Sequence, residues 1–213
     1  MNVTVLGATG RTGRLLTAEL VRRGHAVTVV ARDPARLGAL ADDVRVVTGS
    51  VTDPAVLDEA LRGAHAVTSA LGPTARDATL HTVTAQALVA AMPRHGLQRF
   101  VGVSGAGIDV PGDRKGRRDR MVSWLVRRIG GPVAADKQAE HAVYAASSLE
   151  WTLVRPPRLL DGPASGLVAH DAHRPPVASS LRRADLAVFL ADVLESGQYV
   201  RAAPFVAQGR RAG

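Results

Sequence analysis

The sequence predicts a doubly wound α/β fold, a parallel sheet covered by helices on both faces. Three observations predict it. Short β-branched runs alternate with amphipathic helical patterns along the chain. The first run, Val3-Thr4-Val5-Leu6, feeds straight into Gly7-Ala8-Thr9-Gly10-Arg11-Thr12-Gly13, a G-x-x-G-x-x-G turn that opens a helix. Finally, Asp-Pro pairs and single glycines punctuate the alternation where helices should start and stop.

In chain order, strands are expected at 2–6, 26–31, 44–48, 65–70, 99–103 and 151–154, each short and rich in Val, Thr or aromatic residues. Helices are expected near 12–23, 35–41, 54–62, 76–92 and 134–147. Asp33-Pro34 and Asp53-Pro54 each read as an N-cap with proline at the first helical position. Gly24 and Gly63 read as C-terminal stops. Two stretches break the rhythm. In 105–132, Met121, Leu125 and Ile129 at four-residue spacing suggest one short amphipathic helix after a basic loop. The other, 156–182, is rich in Pro and Gly and should hold loops and one or two short strands. Both follow late strands, where an open α/β sheet binds its ligands, so both are expected on the substrate side.

The chain has 213 residues, 46% of them apolar, which fits a single domain with a sizeable core. The absence of cysteine excludes disulfides, thiol catalysis and cysteine-ligated metal. There is no apolar run of membrane-spanning length. The chain starts on a strand and glycine turn rather than a signal-peptide pattern, so a cytoplasmic protein is expected. Formal net charge is +8, and the cations are nearly all arginine, Lys115 and Lys137 being the two lysines. Residues 108–131 hold seven basic and three acidic residues, which is +4, half of the total excess. The positive charge is therefore a local feature.

The glycine turn points to a dinucleotide. A strand delivers the chain to a tight turn, the glycines admit a pyrophosphate close to the backbone, and the helix turns its unpaired N–H groups toward the anion. The second strand ends Arg32-Asp33. A guanidinium there pairs with the 2′-phosphate of NADP, and Arg36 and Arg11 can add to it, so NADP(H) is favoured over NAD(H). A solvated surface arginine is the alternative for Arg32. Asp33 can meet the ribose instead, but its place before Pro34 favours capping. The third strand runs to Thr48-Gly49-Ser50-Val51, which would pass the adenine. The fourth runs through Thr68-Ser69 to Ala70-Leu71-Gly72, which would flank the ribose and pyrophosphate.

In this order the stretches resemble the atypical short-chain dehydrogenase/reductases, in particular the small NAD(P)H-binding group that includes biliverdin-IXβ reductase/flavin reductase, and the NmrA-like proteins. The resemblance runs through VTVLGATGRTG (3–13), HAVTVVARDPARL (25–37), VVTGSVTD (46–53), SALG (69–72), AMPRHGLQRFVGVSGAG (91–107), DKQAEHAVYAASSLEWTLVRPPRLLDG (136–162) and ADLAVFL (184–190). It implies a Rossmann-type domain with a small C-terminal substrate-side region. It also implies cofactor contacts from Gly7, Thr9, Gly10, Arg11, Thr12 and Arg32. Ser50 departs from the Asp that many members carry near the adenine.

The same resemblance places the chemistry at the end of the fifth strand. Ser104 stands where the wider superfamily has a serine that hydrogen-bonds the substrate carbonyl. Lys137 fits the lysine of the Y-x-x-x-K pair, which puts Val133 at the tyrosine position. Valine donates no proton. Lys137 would either hold the nicotinamide ribose or be an ordinary helix-surface lysine. His141 and Tyr144 share its helical face at i+4 and i+7. His141 could relay a proton, whereas Tyr144 reads as packing. The expected activity is therefore NAD(P)H-dependent reduction of a flavin-, quinone- or tetrapyrrole-like acceptor without a catalytic tyrosine. The alternative is a non-catalytic NAD(P) sensor resembling the NmrA-like proteins. A nucleotide-sugar epimerase or dehydratase is disfavoured by Val133 and the short C-terminal region.

The remaining clusters carry less. His170 and His173 in a Pro-rich loop lack an evident third ligand, so no metal is expected. The run Arg114 to Arg120 reads as a solvated loop or an anion-attracting lid, and with 3% aromatic residues nucleic acid comes third. The expected partner is a small-molecule acceptor, with the chain a monomer or homodimer.

Overall fold

A computed structural model describes residues 1–72 and 77–210, without the side chains of 117–120, 122–127 and 129–130. Six parallel strands form the central sheet: β1 (Asn2–Leu6), β2 (Ala26–Ala31), β3 (Arg45–Thr48), β4 (Ala66–Ser69), β5 (Arg99–Val103) and β6 (Glu150–Val154). Their order is β3-β2-β1-β4-β5-β6, so the topology reverses at β1, and the glycine turn lies at this switch point. The register runs Val5 beside Val29 and Thr68, and Val101 beside Thr68 and Thr152.

Alternation along each strand feeds two apolar layers. Val3, Val5, Val27, Val29 and Val154 face one layer with Leu16 and Leu20 of α1 (Arg11–Arg22) and Leu186, Phe189 and Leu190 of α5 (Arg183–Ser196). Leu6, Val30, Val67, Phe100, Trp151 and Leu153 face the other, with Leu57 and Leu61 of α2 (Pro54–Leu61), Leu88 of α3 (Leu80–Ala91) and Tyr144 of α4 (Arg117–Ala146). Period-two patterning on a sheet covered on both faces gives this two-sided core. Two of the buried threonines, on β1 and β4, are satisfied within it. Thr4 Oγ1 donates to the Ala60 carbonyl at 2.7 Å and Thr68 Oγ1 to that of Val101 at 2.9 Å.

The strands lie within a residue of the expected positions, and the helices depart in three places. Residues 34–43 form a 3-10 segment, not an α-helix, broken at Gly38 with φ 59° and ψ −139°. Asp33 makes no side-chain cap there, whereas Asp53 Oδ1 accepts from Ala55 N at 2.9 Å. The helix expected near 134–147 begins at Arg117, continuous with the expected short helix apart from a kink at Gly131 next to Pro132. The second half of the basic stretch is thus helix rather than loop. The helix expected from 76 begins at Leu80, and residues 73–76 lie outside the described ones.

Residues 155–210 build the flank beyond β6. They hold β7 (Arg158–Leu160) paired with β9 (Ser180–Arg182), and β8 (Val168–Asp171) paired with β10 (Phe205–Gln208). The chain before β10 runs parallel to β6: Leu153 N donates to Ala202 O at 3.1 Å and Arg155 N to Pro204 O at 2.8 Å. This extends the sheet edge with backbone pairing that no sequence pattern announced. Among the described residues no helix is long and apolar enough to cross a membrane.

Candidate functional site

The glycine turn closes on itself and on the β4 loop. Gly10 N donates to Gly7 O at 3.0 Å, and Gly7 takes φ 79°. A Cβ on Gly7 would stand 2.8 Å from Leu71 N and 2.9 Å from Ala70 O; one on Gly13 would stand 2.0 Å from Gly7 O. Both glycines are therefore required for packing as well as for any ligand. They bring Gly7 and Gly10 against Ala70 and Leu71 at the switch point. Gly10 is the N-cap of α1 and offers no side-chain cap, and the first turn of α1 carries no acidic residue. Its leading N–H groups are thus left for an anion.

The flanks of this cradle are arginine-rich. Arg32 at the end of β2 and Arg36 one turn on are exposed. Arg11 is exposed and reaches Asp161 at 3.5 Å, which also pairs with Arg183 at 2.7 Å. Ser50 and Val51 play parts the sequence did not show. The Ser50 hydroxyl lies 2.8 Å from that of Thr52, inside its own turn. Val51 is buried in the apolar layer around Val30 and Leu57.

At the other end, Ser104 follows β5, and its N–H donates to Val154 O at 2.8 Å. Its Oγ is buried and, among the described residues, meets no hydrogen-bond partner. A buried unsatisfied hydroxyl is costly, and its position beyond the carboxyl end of a central strand suits a ligand oxygen. Lys137 is not an ordinary surface lysine. Its Nζ is buried and donates to Val103 O at 2.9 Å and to Glu140 Oε2 at 3.1 Å. Burial pushes its pKa down, opposed by the Glu140 carboxylate. Lys137 therefore braces the strand end that carries Ser104. Val133 at the tyrosine position is 37% exposed.

His141 is buried one turn along, edge-on to Trp151 with ring centroids 5.5 Å apart. Burial and then the Arg155 charge push its pKa down, so the ring is held neutral. Tyr144 stacks on Phe100 at 4.4 Å and is a core residue.

The structure adds residues that the sequence reading passed over. Asp136 accepts from His81 N at 2.9 Å, His81 Nδ1 at 2.8 Å, Thr82 N at 2.9 Å and Thr82 Oγ1 at 2.6 Å, capping α3 from α4. His81 Nε2 lies 3.3 Å from Leu71 O, tying the cap to the cofactor-side loop. Arg155 is fully buried, holds Asp113 with two contacts of 2.7 Å, and lies 3.6 Å over the Phe205 ring. That bidentate pair fixes 105–116 against the end of β6. The partners are 55 and 42 residues apart, so local spacing carries no signal of either pair. His170 lies in β8 rather than in the expected loop, its Nδ1 meets the Tyr199 hydroxyl at 2.5 Å, and among the described residues no three His, Asp or Glu converge as metal ligands.

The missing Cβ atoms of the cradle and the uncapped helix end fit a dinucleotide at the switch point. The comparisons with known proteins agree. The sequence model of a family described as NAD(P)H-binding matches residues 7–197. A (4-alkanoyl-5-oxo-2,5-dihydrofuran-3-yl)methyl phosphate reductase of Streptomyces griseus is 32% identical over 157 residues, 72% of this chain and 46% of the relative. The chain thus spans about half the length of this curated relative. A solved structure of a protein from Burkholderia pseudomallei is 30% identical, superimposes with TM-score 0.79, and covers 97% of this chain and 99% of its own. ChuY, an anaerobillin reductase from Escherichia coli O157:H7, shares the fold with TM-score 0.82 at 19% identity, over 100% of both chains. With the glycine cradle in place and a family match along most of its length, this chain belongs to the NAD(P)H-binding family.

Proposed function

We propose that the protein is an NADPH-dependent reductase that passes hydride to a small conjugated acceptor of flavin, quinone or tetrapyrrole type, with no tyrosine acid. The observation that carries this reading is the buried Ser104 hydroxyl, unpartnered among the described residues, after β5 of the sheet whose β1 carries the glycine cradle. The bound dinucleotide supplies the hydride. Gly7, Thr9, Gly10 and Thr12 hold its pyrophosphate on the α1 N-terminus, and Ala70, Leu71 and Gly72 close the opposite side. Arg32, with Arg11 and Arg36, holds the 2′-phosphate, so NADP(H) is preferred. Ser50 and Val51 pass the adenine through their backbones.

Ser104 donates a hydrogen bond to the acceptor oxygen, and Lys137 keeps that strand end in place. His141, neutral near pH 7, takes a proton from water and passes it inward. Such an enzyme works mainly by orientation, which suits acceptors whose reduced forms are stable without strong acid catalysis. The Streptomyces relative is itself a reductase, which supports the reaction class.

Val133 and the Lys137–Val103 bond favour a second reading, an NAD(P) sensor, because neither position offers a proton to a substrate. The deciding experiment is NADPH oxidation followed at 340 nm with a panel of flavins, quinones and linear tetrapyrroles, beside NADPH and NADP⁺ titrations. Turnover with any acceptor above its protein-free rate supports the reductase. Binding without turnover across the panel overturns it in favour of the sensor.

A further inference from the structure

We propose that Arg14 is a positioning residue for cofactor specificity: its guanidinium fork holds the turn that presents Arg32 and Arg36, and so sets the discrimination between NADPH and NADH. The inference rests on the reading of Arg32 as a 2′-phosphate ligand and extends it to a residue that would not itself touch that phosphate.

Arg14 lies in the first turn of α1, its N–H bonded to Gly10 O at 2.9 Å. Its Nη1 donates to the Arg36 carbonyl and its Nη2 to that of Leu37 at 3.1 Å. These carbonyls are free because the 3-10 segment breaks at Gly38, where φ is 59° and ψ −139°. A helix that stops leaves its last carbonyls unpaired, and here a guanidinium from the neighbouring helix caps two at once. Gly38 fits the arrangement independently. A Cβ there would sit 3.3 Å from Arg14 Nη2, in a backbone conformation that disfavours any side chain. Arg14 and Gly38 are thus a matched pair across α1 and the β2 turn.

The turn is pinned on three sides. Leu37 is fully buried beneath it, Arg36 N reaches back to Asp33 O at 3.3 Å, and Arg14 clamps its far end. Arg36 within this turn and Arg32 just before it stay exposed. A phosphate gains from two guanidinium groups only if their backbones are held at fixed separation, since each loose arginine must be ordered anew on binding. Lysine in place of Arg14 keeps the charge, but one ammonium cannot span both carbonyls in the same fork geometry.

The test is isothermal titration of the purified chain with NADPH and NADH, and with 2′,5′-ADP and 5′-AMP, for wild type, Arg14→Lys and Gly38→Ala. Arg14→Lys should raise the NADPH and 2′,5′-ADP dissociation constants about 5- to 10-fold, the loss expected from one or two hydrogen bonds, while NADH and 5′-AMP change less than about twofold. Gly38→Ala should narrow the same ratio while keeping Arg14, and it carries the test if Arg14→Lys does not fold. A ratio retained in both variants overturns the proposal, as does an equal loss for all four ligands. A wild type that binds NADPH and NADH alike overturns the NADP reading itself, a failure visible before any variant is made.

Discussion

At the residue scale, two groups at the site act in opposite directions on stability and function. Ser104 Oγ is buried with no partner, so the folded protein carries its desolvation cost. Ser104→Ala should leave the melting temperature unchanged or slightly raised, while lowering kcat/KM about 10-fold through loss of the bond to the acceptor. Thermal denaturation and steady-state NADPH oxidation check the two halves. Gly13 behaves otherwise. A Cβ there would overlap Gly7 O at 2.0 Å, a backbone atom that cannot swing aside. Gly13→Ala should cost about 2–4 kcal/mol by urea unfolding, because α1 must move off the turn, and it should abolish NADPH binding with it. Lys137 also gains a role at this scale: its ammonium bonds Val103 O and Glu140, which braces the end of β5.

At the element scale, the start of α3 is held by a side chain of another helix rather than by its own N-cap. Thr79, the N-cap of α3, makes no side-chain cap, and the role falls to Asp136 of α4 with its four short contacts. Asp136→Ala strands the His81 and Thr82 donors in a buried position. It should destabilise the fold by about 3 kcal/mol by urea unfolding, and weaken NADPH binding through the His81 contact to Leu71. The Asp113–Arg155 pair does similar work for 105–116. The kinked 3-10 segment after β2, in place of a regular helix, is what exposes the carbonyls that Arg14 caps.

At the scale of the whole molecule, the buried titratable groups set an asymmetric pH dependence. His141 has a depressed pKa, chiefly from burial, so its neutral form is favoured in the fold. The unfolded chain binds that proton first, and stability falls as pH drops below about 6.5. For Asp113 and Asp136, burial works to raise the pKa, but hydrogen bonds from Arg155 and from Thr82 and His81 outweigh it and hold each carboxyl low. Their contribution is present above about pH 4 and is lost as pH falls through the depressed values. Melting temperature against pH should therefore fall in two stages on the acid side. The His141→Gln variant should flatten the first stage and leave the second.

The sequence by itself determined the sheet, because period-two runs, glycine turns and Asp-Pro starts are local consequences of backbone geometry and burial. Its six strands and the Gly7–Gly13 turn were legible to within a residue. The cofactor class was legible too, since a strand–glycine turn–helix unit is contiguous in the chain. Only the tertiary structure decided what individual side chains do there. Lys137 became a brace when its ammonium met the Val103 carbonyl across a packed interface. Ser104 became conspicuous only when nothing else turned out to face it, and Val51 became core. Asp136, Arg155 and Arg14 acquired their roles through partners 22 to 55 residues away, brought close by the crossover of helices over a parallel sheet. Periodicity reports which face of an element is buried. It does not report which polar group of another element will be waiting there, and at this site that pairing fixes the loops a dinucleotide would meet.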